Sequence, residues 1–318
     1  MRPNYYSPDQ AGELYLTRDA VVLQAVEDHQ QTFEERRDAE RTALFIIDPD
    51  IDFCLPGGSL YVPGAEQDTA RLCEFIYDNM ASIGRVYCTL DTHKAFQIFF
   101  PSYWKDEQGN YPAPHTVISA EDIRTGRWTA RGGDRDTAIA AAYAAALEKE
   151  GKYALMIWPF HTRKATVGQA VVPALAEAFL FYELMKGTEV VYKEKGSYTY
   201  TENYSVISPE VTVVPFANCQ LDLGQGDEDL VTELLGFDRV YVAGQASSHC
   251  VKATLEDILR CIQARGLGPE AAAKFRILTD CMSPVIAPGI DFPALARQAM
   301  EKCAAAGMQL VQSTDQPT

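Results

Sequence analysis

Short apolar runs alternate along the chain with longer stretches whose apolar positions have helical spacing. The runs are continuous rather than alternating in polarity, which is typical of strands covered on both faces. We predict strands at residues 43–48, 85–91, 153–158, 189–192, 239–244 and 275–280, with a further candidate at 308–312. We predict helices at 66–82, 137–149, 167–185, 248–264 and 292–306.

This repeated order of strand and helix predicts an α/β fold with a largely parallel sheet. We expect three layers, with about six mostly parallel strands in a doubly wound sheet and helices on both faces. Residues 1–40 are polar and read as an N-terminal extension to a domain over 41–318. Residues 101–135 are rich in Pro, Gly and charge, and so long a connection indicates a lid or an interface.

Several predicted strands end in, or just before, a residue that can carry chemistry. Parallel sheets place their ligand sites at the carboxyl ends of the strands, so these residues are expected to meet at one edge. Together they predict a functional site there. In chain order they are Asp48, Asp91 with His93, His161, Lys193 with Lys195, and Cys250.

Cys250 follows a predicted strand and lies at the start of a predicted helix. The positive end of a helix dipole lowers the pKa of a thiol, and the free N–H groups there can hold an oxyanion. The pattern therefore favours a nucleophile. The alternative is a buried structural cysteine, because the eight cysteines are scattered without a CxxC pair.

Two charged residues could serve such a thiol. Asp48 ends an apolar strand, where a carboxylate is costly to bury unless it is paired or functional, and it could act as a general base. A turn-capping carboxylate is the alternative. Either Lys193 or Lys195 could stabilise charge beside the thiol, although most lysines are simply solvated.

A metal site is a further hypothesis, with an ordinary hydrogen-bonded Asp–His pair as the alternative. Asp91 and His93 lie two residues apart at a strand end and can bind one cation from the same side. His161 or His115 would supply a third ligand. Oxygen and imidazole donors suit zinc, and also iron or manganese.

The charge balance limits the classes of molecule that the protein is expected to bind. Lys and Arg number 28 against 44 Asp and Glu, a net charge of −16, which disfavours nucleic acid. The first residues lack a basic region followed by an apolar run, and no apolar stretch approaches the length of a membrane span. We therefore predict a cytoplasmic protein that binds no membrane.

Five segments, in order, resemble the nicotinamidase/isochorismatase-like cysteine hydrolases over about residues 42–314. They are IIDPDIDFCLPGGSLYVPGA, LDTH, WPFHT, KGSYTYTENYSV and VAGQASSHCVKAT. The resemblance implies that family's fold and a catalytic set of Asp48, Lys195 and Cys250. It also implies metal ligation by Asp91, His93 and His161 rather than by His115.

The resemblance assigns further roles. The family's lysine precedes a Tyr-Ser pair by nine residues, which selects Lys195 over Lys193. The family has a cis peptide at the position of Gln245-Ala246, and its oxyanion hole would use the N–H groups of Ala246 and Cys250. Phe53 and Trp158 stand where aromatic residues flank the substrate ring.

The implied activity is cleavage of a small carboxamide to a carboxylate and ammonia through a thioester, in a homo-oligomer of two or four chains. Asp50, Thr92, Thr162 and Ser247-Ser248 depart from the family pattern, and the 101–135 insertion has no counterpart in compact nicotinamidases. One alternative is therefore a related amidase for a carbamoyl, ureido or maleamate-type substrate. Another is a non-catalytic regulatory or scaffold protein on the same fold.

Overall fold

The computed structural model describes residues 2–36, 39–150, 154–287 and 289–315. Ten strands are present in these ranges: β1 Thr42–Ile47, β2 Arg85–Asp91, β3 Trp104–Lys105, β4 Thr129–Ala130, β5 Val191–Lys195, β6 Val213–Phe216, β7 Cys219–Asp222, β8 Arg239–Gly244, β9 Phe275–Leu278 and β10 Gln309–Val311. The α-helices are α1 Asp19–Gln30, α2 Ile51–Cys54, α3 Ala65–Asn79, α4 Ala120–Arg124, α5 Asp134–Glu150, α6 Pro173–Lys186, α7 Glu228–Leu235, α8 Cys250–Ala264, α9 Pro269–Ala272 and α10 Phe292–Ala305. None of these helices is long and apolar enough to cross a membrane.

Six strands form one sheet in the order β10-β9-β8-β1-β2-β5. Every pairing in it is parallel, so the predicted doubly wound α/β fold is confirmed. The chain first builds outward from β1 to β2 and β5, and then returns to the other side of β1 with β8. Ligands bind where the strand order reverses in such sheets, and that point lies between β1 and β8.

Strand β1 shows why the sheet is buried on both faces. All six of its residues are buried, and successive side chains point to opposite faces. Leu44 and Ile46 join one apolar core, whereas Phe45 and Ile47 join the other. The apolar run of β1 is therefore continuous because the strand is covered on both faces, as predicted.

The prediction of a strand at residues 153–158 is wrong. Residue 153 lies outside the described residues, and 154–158 is an extended segment outside the central sheet. Its backbone bonds to the insertion instead, because Ile157 N–H donates to Thr116 and Ile118 N–H donates to Leu155. The candidate strand near the C-terminus does form, as β10, and completes the six.

The N-terminal segment packs against the domain through a buried carboxylate on α6. Glu177 accepts hydrogen bonds from the Arg18 backbone N–H at 2.7 Å, from the Arg18 guanidinium at 2.7 Å and from Tyr15 Oη at 3.2 Å. Val22 and Val26 of α1 are buried in the same core as the sheet face beneath. Residues 2–30 are thus attached by both charge and apolar burial.

The 101–135 insertion has an ordered structure of its own. It contains the antiparallel pair β3–β4 and helix α4, whose Ser119 cap donates to and accepts from Asp122. Tyr103 and Trp104 are fully buried, and Trp104 Nε1 donates to the Ile98 carbonyl at 2.6 Å. Both aromatic residues belong to the same apolar core as Leu44 and Ile46 of β1, so the insertion is anchored to the rest of the domain.

Candidate active site

Four parallel strands deliver the predicted residues to one edge of the sheet. Asp48 directly follows β1, Asp91 ends β2, Lys195 ends β5, and Cys250 begins α8 after β8. All four side chains are buried. Asp48 and Cys250 flank the point where strand order reverses, which is the position that this topology favours for a site.

Lys195 lies at the centre of the cluster. Its Nζ is 2.9 Å from Asp48 Oδ2, 2.8 Å from Asp91 Oδ1 and 3.6 Å from Cys250 Sγ, and it also donates to the Asn203 carbonyl at 2.9 Å. Burial alone would lower the pKa of Lys195, but Asp48 and Asp91 raise it well above its ordinary value. The ammonium therefore stays charged between two carboxylates and a thiol.

The two carboxylate oxygens of Asp48 have different surroundings. Its Oδ1 accepts from Thr89 Oγ1 at 2.6 Å. The Lys195 ammonium lies 2.9 Å from Oδ2 but is poorly aligned, so among the described residues this oxygen has no well-directed hydrogen bond. Burial raises the pKa of Asp48 above its ordinary value, with Lys195 opposing, which makes the carboxylate a stronger base.

The pKa of the Cys250 thiol is raised, although its position at the start of a helix predicted a lowered value. Burial raises the pKa of Cys250 well above its ordinary value, and Lys195 only partly opposes this effect. The predicted lowering of the pKa by the helix terminus is therefore outweighed. A thiol whose pKa is raised in this way needs a base to take its proton before it can act as a nucleophile.

The backbone around the thiol is tightly constrained. Gly244 has φ +119°, and a Cβ there would lie 2.0 Å from the Ile47 carbonyl oxygen, so only glycine fits between β1 and β8. The Gln245-Ala246 peptide bond is cis. Asp48 itself has φ 45°, an uncommon backbone conformation for a residue other than glycine.

Asp91, His93 and His161 form a candidate metal centre. One donor atom from each residue lies within 4.8 Å of the others, and all three side chains are buried. The Nδ1–H groups of His93 and His161 donate at 2.8 Å to the carbonyls of Gly196 and Pro159 respectively. These bonds orient both Nε2 atoms toward Asp91, the arrangement usual for metal-binding histidines.

The donor set fits a divalent cation. His93 Nε2 lies 2.8 Å from Asp91 Oδ2, and His161 Nε2 lies 3.7 Å from the same oxygen. Electron-rich atoms this close need a cation or a proton between them. Burial and His93 lower the pKa of His161 to about 4, so its imidazole stays in the neutral form that binds metal. His115 is not part of this group.

We expect His161→Ala to lose bound metal. Removing one of the three candidate ligands should weaken metal affinity by more than the factor of about 10–100 that residues hydrogen-bonded to such ligands contribute. Elemental analysis after dialysis measures this effect. His115→Ala, the competing candidate, should keep its metal, and equal metal content in both variants would contradict the assignment.

An apolar cavity of about 40 Å³ adjoins Cys250. Phe53 and Trp158 both line it, and the Phe53 ring lies 5.6 Å from the His161 ring. Within the described residues, none of 101–135 lines this cavity. The insertion contacts it indirectly, because the His115 ring packs perpendicular to that of Trp158 at 5.7 Å between centroids.

Several residues of the site were not identified from the sequence. Glu202, Tyr204 and His249 line the cavity. Asp50, which departs from the family pattern, is fully buried, and its Oδ1 lacks a hydrogen-bond partner among the described residues. Thr89 could have been found, because it precedes Asp91 by two residues and therefore shares its face of β2.

Comparison with known proteins identifies a similar enzyme. No family model matches the chain. The nicotinamidase of Saccharomyces cerevisiae is 25% identical over 268 residues, which cover 84% of this chain and 98% of the yeast protein. The chain is a homologue of this nicotinamidase.

Solved nicotinamidase structures show the same fold. The yeast nicotinamidase bound to the inhibitor nicotinaldehyde matches with a TM-score of 0.56 at 21% identity, covering 85% of this chain and 99% of that one. The nicotinamidase/pyrazinamidase of Acinetobacter baumanii matches with a TM-score of 0.55 at 21% identity, covering 87% and 98%. The fold is therefore that of the nicotinamidases, the isochorismatase-like hydrolase fold.

Proposed function

We propose that this protein is a cysteine amidohydrolase that converts a small carboxamide to a carboxylate and ammonia, with nicotinamide as its first candidate substrate. The observation that carries the proposal is the buried cluster in which one ammonium contacts Asp48 and lies 3.6 Å from the Cys250 sulfur. No packing requirement explains a base, a cation and a thiol together. The similarity to a nicotinamidase supports the same reaction class.

In this mechanism Asp48 takes the proton of Cys250 as the thiolate attacks the amide carbon. The raised pKa values of both groups suit this order, because the thiol remains neutral until substrate is bound and the carboxylate is a strengthened base. Lys195 offsets the negative charge that moves to the sulfur. The N–H groups of Ala246 and Cys250 hold the oxyanion, each contributing roughly 3–4 kcal/mol in comparable enzymes.

The tetrahedral intermediate collapses when Asp48 returns the proton to the leaving nitrogen, which departs as ammonia. A thioester on Cys250 remains. Asp48 then takes a proton from a water molecule, whose oxygen attacks the thioester carbon. The carbon–sulfur bond breaks, the acid product leaves and the thiol is restored.

We propose that Asp91, His93 and His161 hold a divalent metal, with zinc as the first candidate and iron or manganese as the others. The donors are two imidazoles and a carboxylate, which suit these ions. Such an ion supplies Lewis acidity that orients the substrate or activates water. Phe53 and Trp158 are proposed to flank the substrate ring.

The wider context of the protein is also a proposal. We infer a cytoplasmic enzyme with a small-molecule substrate that acts as a homo-oligomer of two or four chains. Residues 1–40 are proposed as an extension to the domain over 41–318, and residues 101–135 as a lid or interface. The contact of His115 with Trp158 supports an influence of the insertion on the cavity.

Ammonia release from a panel of primary amides tests the activity. The panel compares nicotinamide with benzamide, which has no ring nitrogen, and with carbamoyl, ureido and maleamate-type compounds. We expect nicotinamide to be hydrolysed fastest and benzamide more slowly. Failure to release ammonia from nicotinamide, with turnover of another member, would overturn the substrate but not the reaction class.

A further inference from the structure

A buried carboxyl group lies in the wall of the cavity and is not used by the proposed reaction. Glu202 is 3% exposed and lines the cavity beside Tyr204 and Trp158. Burial, with a contribution from Glu210, raises the pKa of Glu202 to about 8. The side chain is therefore mostly protonated at neutral pH, and it remains a hydrogen-bond acceptor through its second oxygen.

Glu202 joins the two aromatic residues of this wall. Its Oε1 accepts from Tyr204 Oη at 2.6 Å and from Trp158 Nε1 at 3.1 Å. The same indole N–H also lies 3.0 Å from Tyr204 Oη. Glu202 Oε1, Trp158 Nε1 and Tyr204 Oη thus contact one another in a triangle. Each of the two rings is oriented by the hydrogen bonds of its polar atom.

The segment that carries Glu202 is also attached to the catalytic cluster. The backbone carbonyl of the next residue, Asn203, accepts a hydrogen bond from the Lys195 ammonium. Tyr143 Oη lies 3.4 Å from Glu202 Oε2 and accepts the Glu202 backbone N–H at 3.1 Å. Glu202 is therefore held through its Oε2 and its backbone N–H, while its Oε1 accepts hydrogen bonds from the two aromatic residues of the cavity wall.

We propose that Glu202 is a positioning residue for the amidase reaction, orienting Trp158 and Tyr204 against the ring of the substrate. This role rests on the proposed function. In this role Glu202 affects how a planar ring binds, and it takes no part in the bond changes at Cys250. Loss of Glu202 should therefore raise KM much more than it lowers kcat.

Two substitutions at this position separate positioning from packing. Glu202→Gln keeps an acceptor at Oε1 and the shape of the protonated carboxyl group, whereas Glu202→Met keeps the volume and removes the acceptor. We expect Glu202→Met to raise KM by about tenfold with kcat changed less than about threefold, because the Tyr204 hydroxyl and the Trp158 indole N–H lose their shared carboxyl acceptor. Glu202→Gln should restore KM to within about threefold of the parent value.

Glu210→Met is the control for the loop, because Glu210 is another buried carboxyl group there that does not line the cavity. Removing its charge favours the ionised form of Glu202, which still accepts the hydrogen bonds of Tyr204 and Trp158. The KM of this variant should stay near that of the parent. An independent readout is the indole N–H resonance of Trp158 among the three tryptophans, assigned with Trp158→Phe. We expect Glu202→Met to move this resonance and Glu202→Gln to leave it nearly in place.

The outcomes are distinguishable. A parent protein without amidase activity overturns the proposed function and this role with it. An active parent whose Glu202→Met variant has an unchanged KM, or equal losses in Glu202→Gln and Glu202→Met, overturns the positioning role alone. An equal rise of KM in Glu210→Met also overturns it, since the effect would then be general to the loop.

Discussion

Replacing Cys250 with alanine should lower amidase activity by about 10⁴-fold or more, since the acyl-enzyme cannot form without the sulfur. The side chain is only 6% exposed, and its thiol lies 3.6 Å from the Lys195 ammonium. Cys250→Ser should be nearly as inactive, because a serine hydroxyl is far harder to deprotonate than a thiol. Ammonia release at saturating substrate measures the loss.

Two other cysteines provide the controls for this experiment. Cys261 lies on the same helix and is also buried, whereas Cys219 is exposed. Alanine at either position should leave turnover within about twofold of the parent, as expected for cysteines outside the catalytic group. A Cys250→Ala protein that hydrolyses amides at the parent rate would show that the nucleophile is elsewhere.

Replacing Lys195 with methionine should reduce both stability and activity. Its ammonium is the cation between the buried carboxylates of Asp48 and Asp91, at 2.9 and 2.8 Å. Breaking such a buried group by removing one partner typically costs about 3–5 kcal/mol of the free energy of unfolding. We also expect kcat to fall by about 10²–10⁴-fold, because the charge formed on the sulfur loses its counter-ion.

Urea unfolding of the metal-free protein measures the stability change. Lys193 is a matched control on the same strand, where it is partly exposed and pairs with Asp227 at 2.9 Å. Lys193→Met should lower the free energy of unfolding by less than about 1 kcal/mol, since exposed ion pairs contribute little. Equal losses in the two variants would contradict the central place of Lys195.

The sequence predicted Asp48, Asp91, Lys195 and Cys250 because each one lies at the end of a strand or in the segment that follows it. An apolar run that ends in Asp48, in Asp91 or just before Cys250 can be read without knowledge of its neighbours. The carboxyl ends of parallel strands meet at one edge, so the strand ends already indicate which residues converge. The motif resemblance added the choice of Lys195 over Lys193 and of His161 over His115.

Features that depend on distant partners were not predictable in this way. The run at residues 153–158 has the composition of a strand, but its described residues hydrogen-bond to residues 116–118 of the insertion. The contact of Glu202 with Trp158 joins residues 44 positions apart. Neither follows from a local pattern, because hydrogen-bond partners are selected by the path of the whole chain.

By itself, the sequence determined which residues carry charge, thiol and imidazole groups, and which strands deliver them to one edge. Only the tertiary structure decided how those groups behave. The helix terminus alone predicts a lowered pKa for Cys250, whereas burial raises it well above the ordinary value. The sign depends on how much water surrounds the sulfur, and that is set by the packing of all the elements around it.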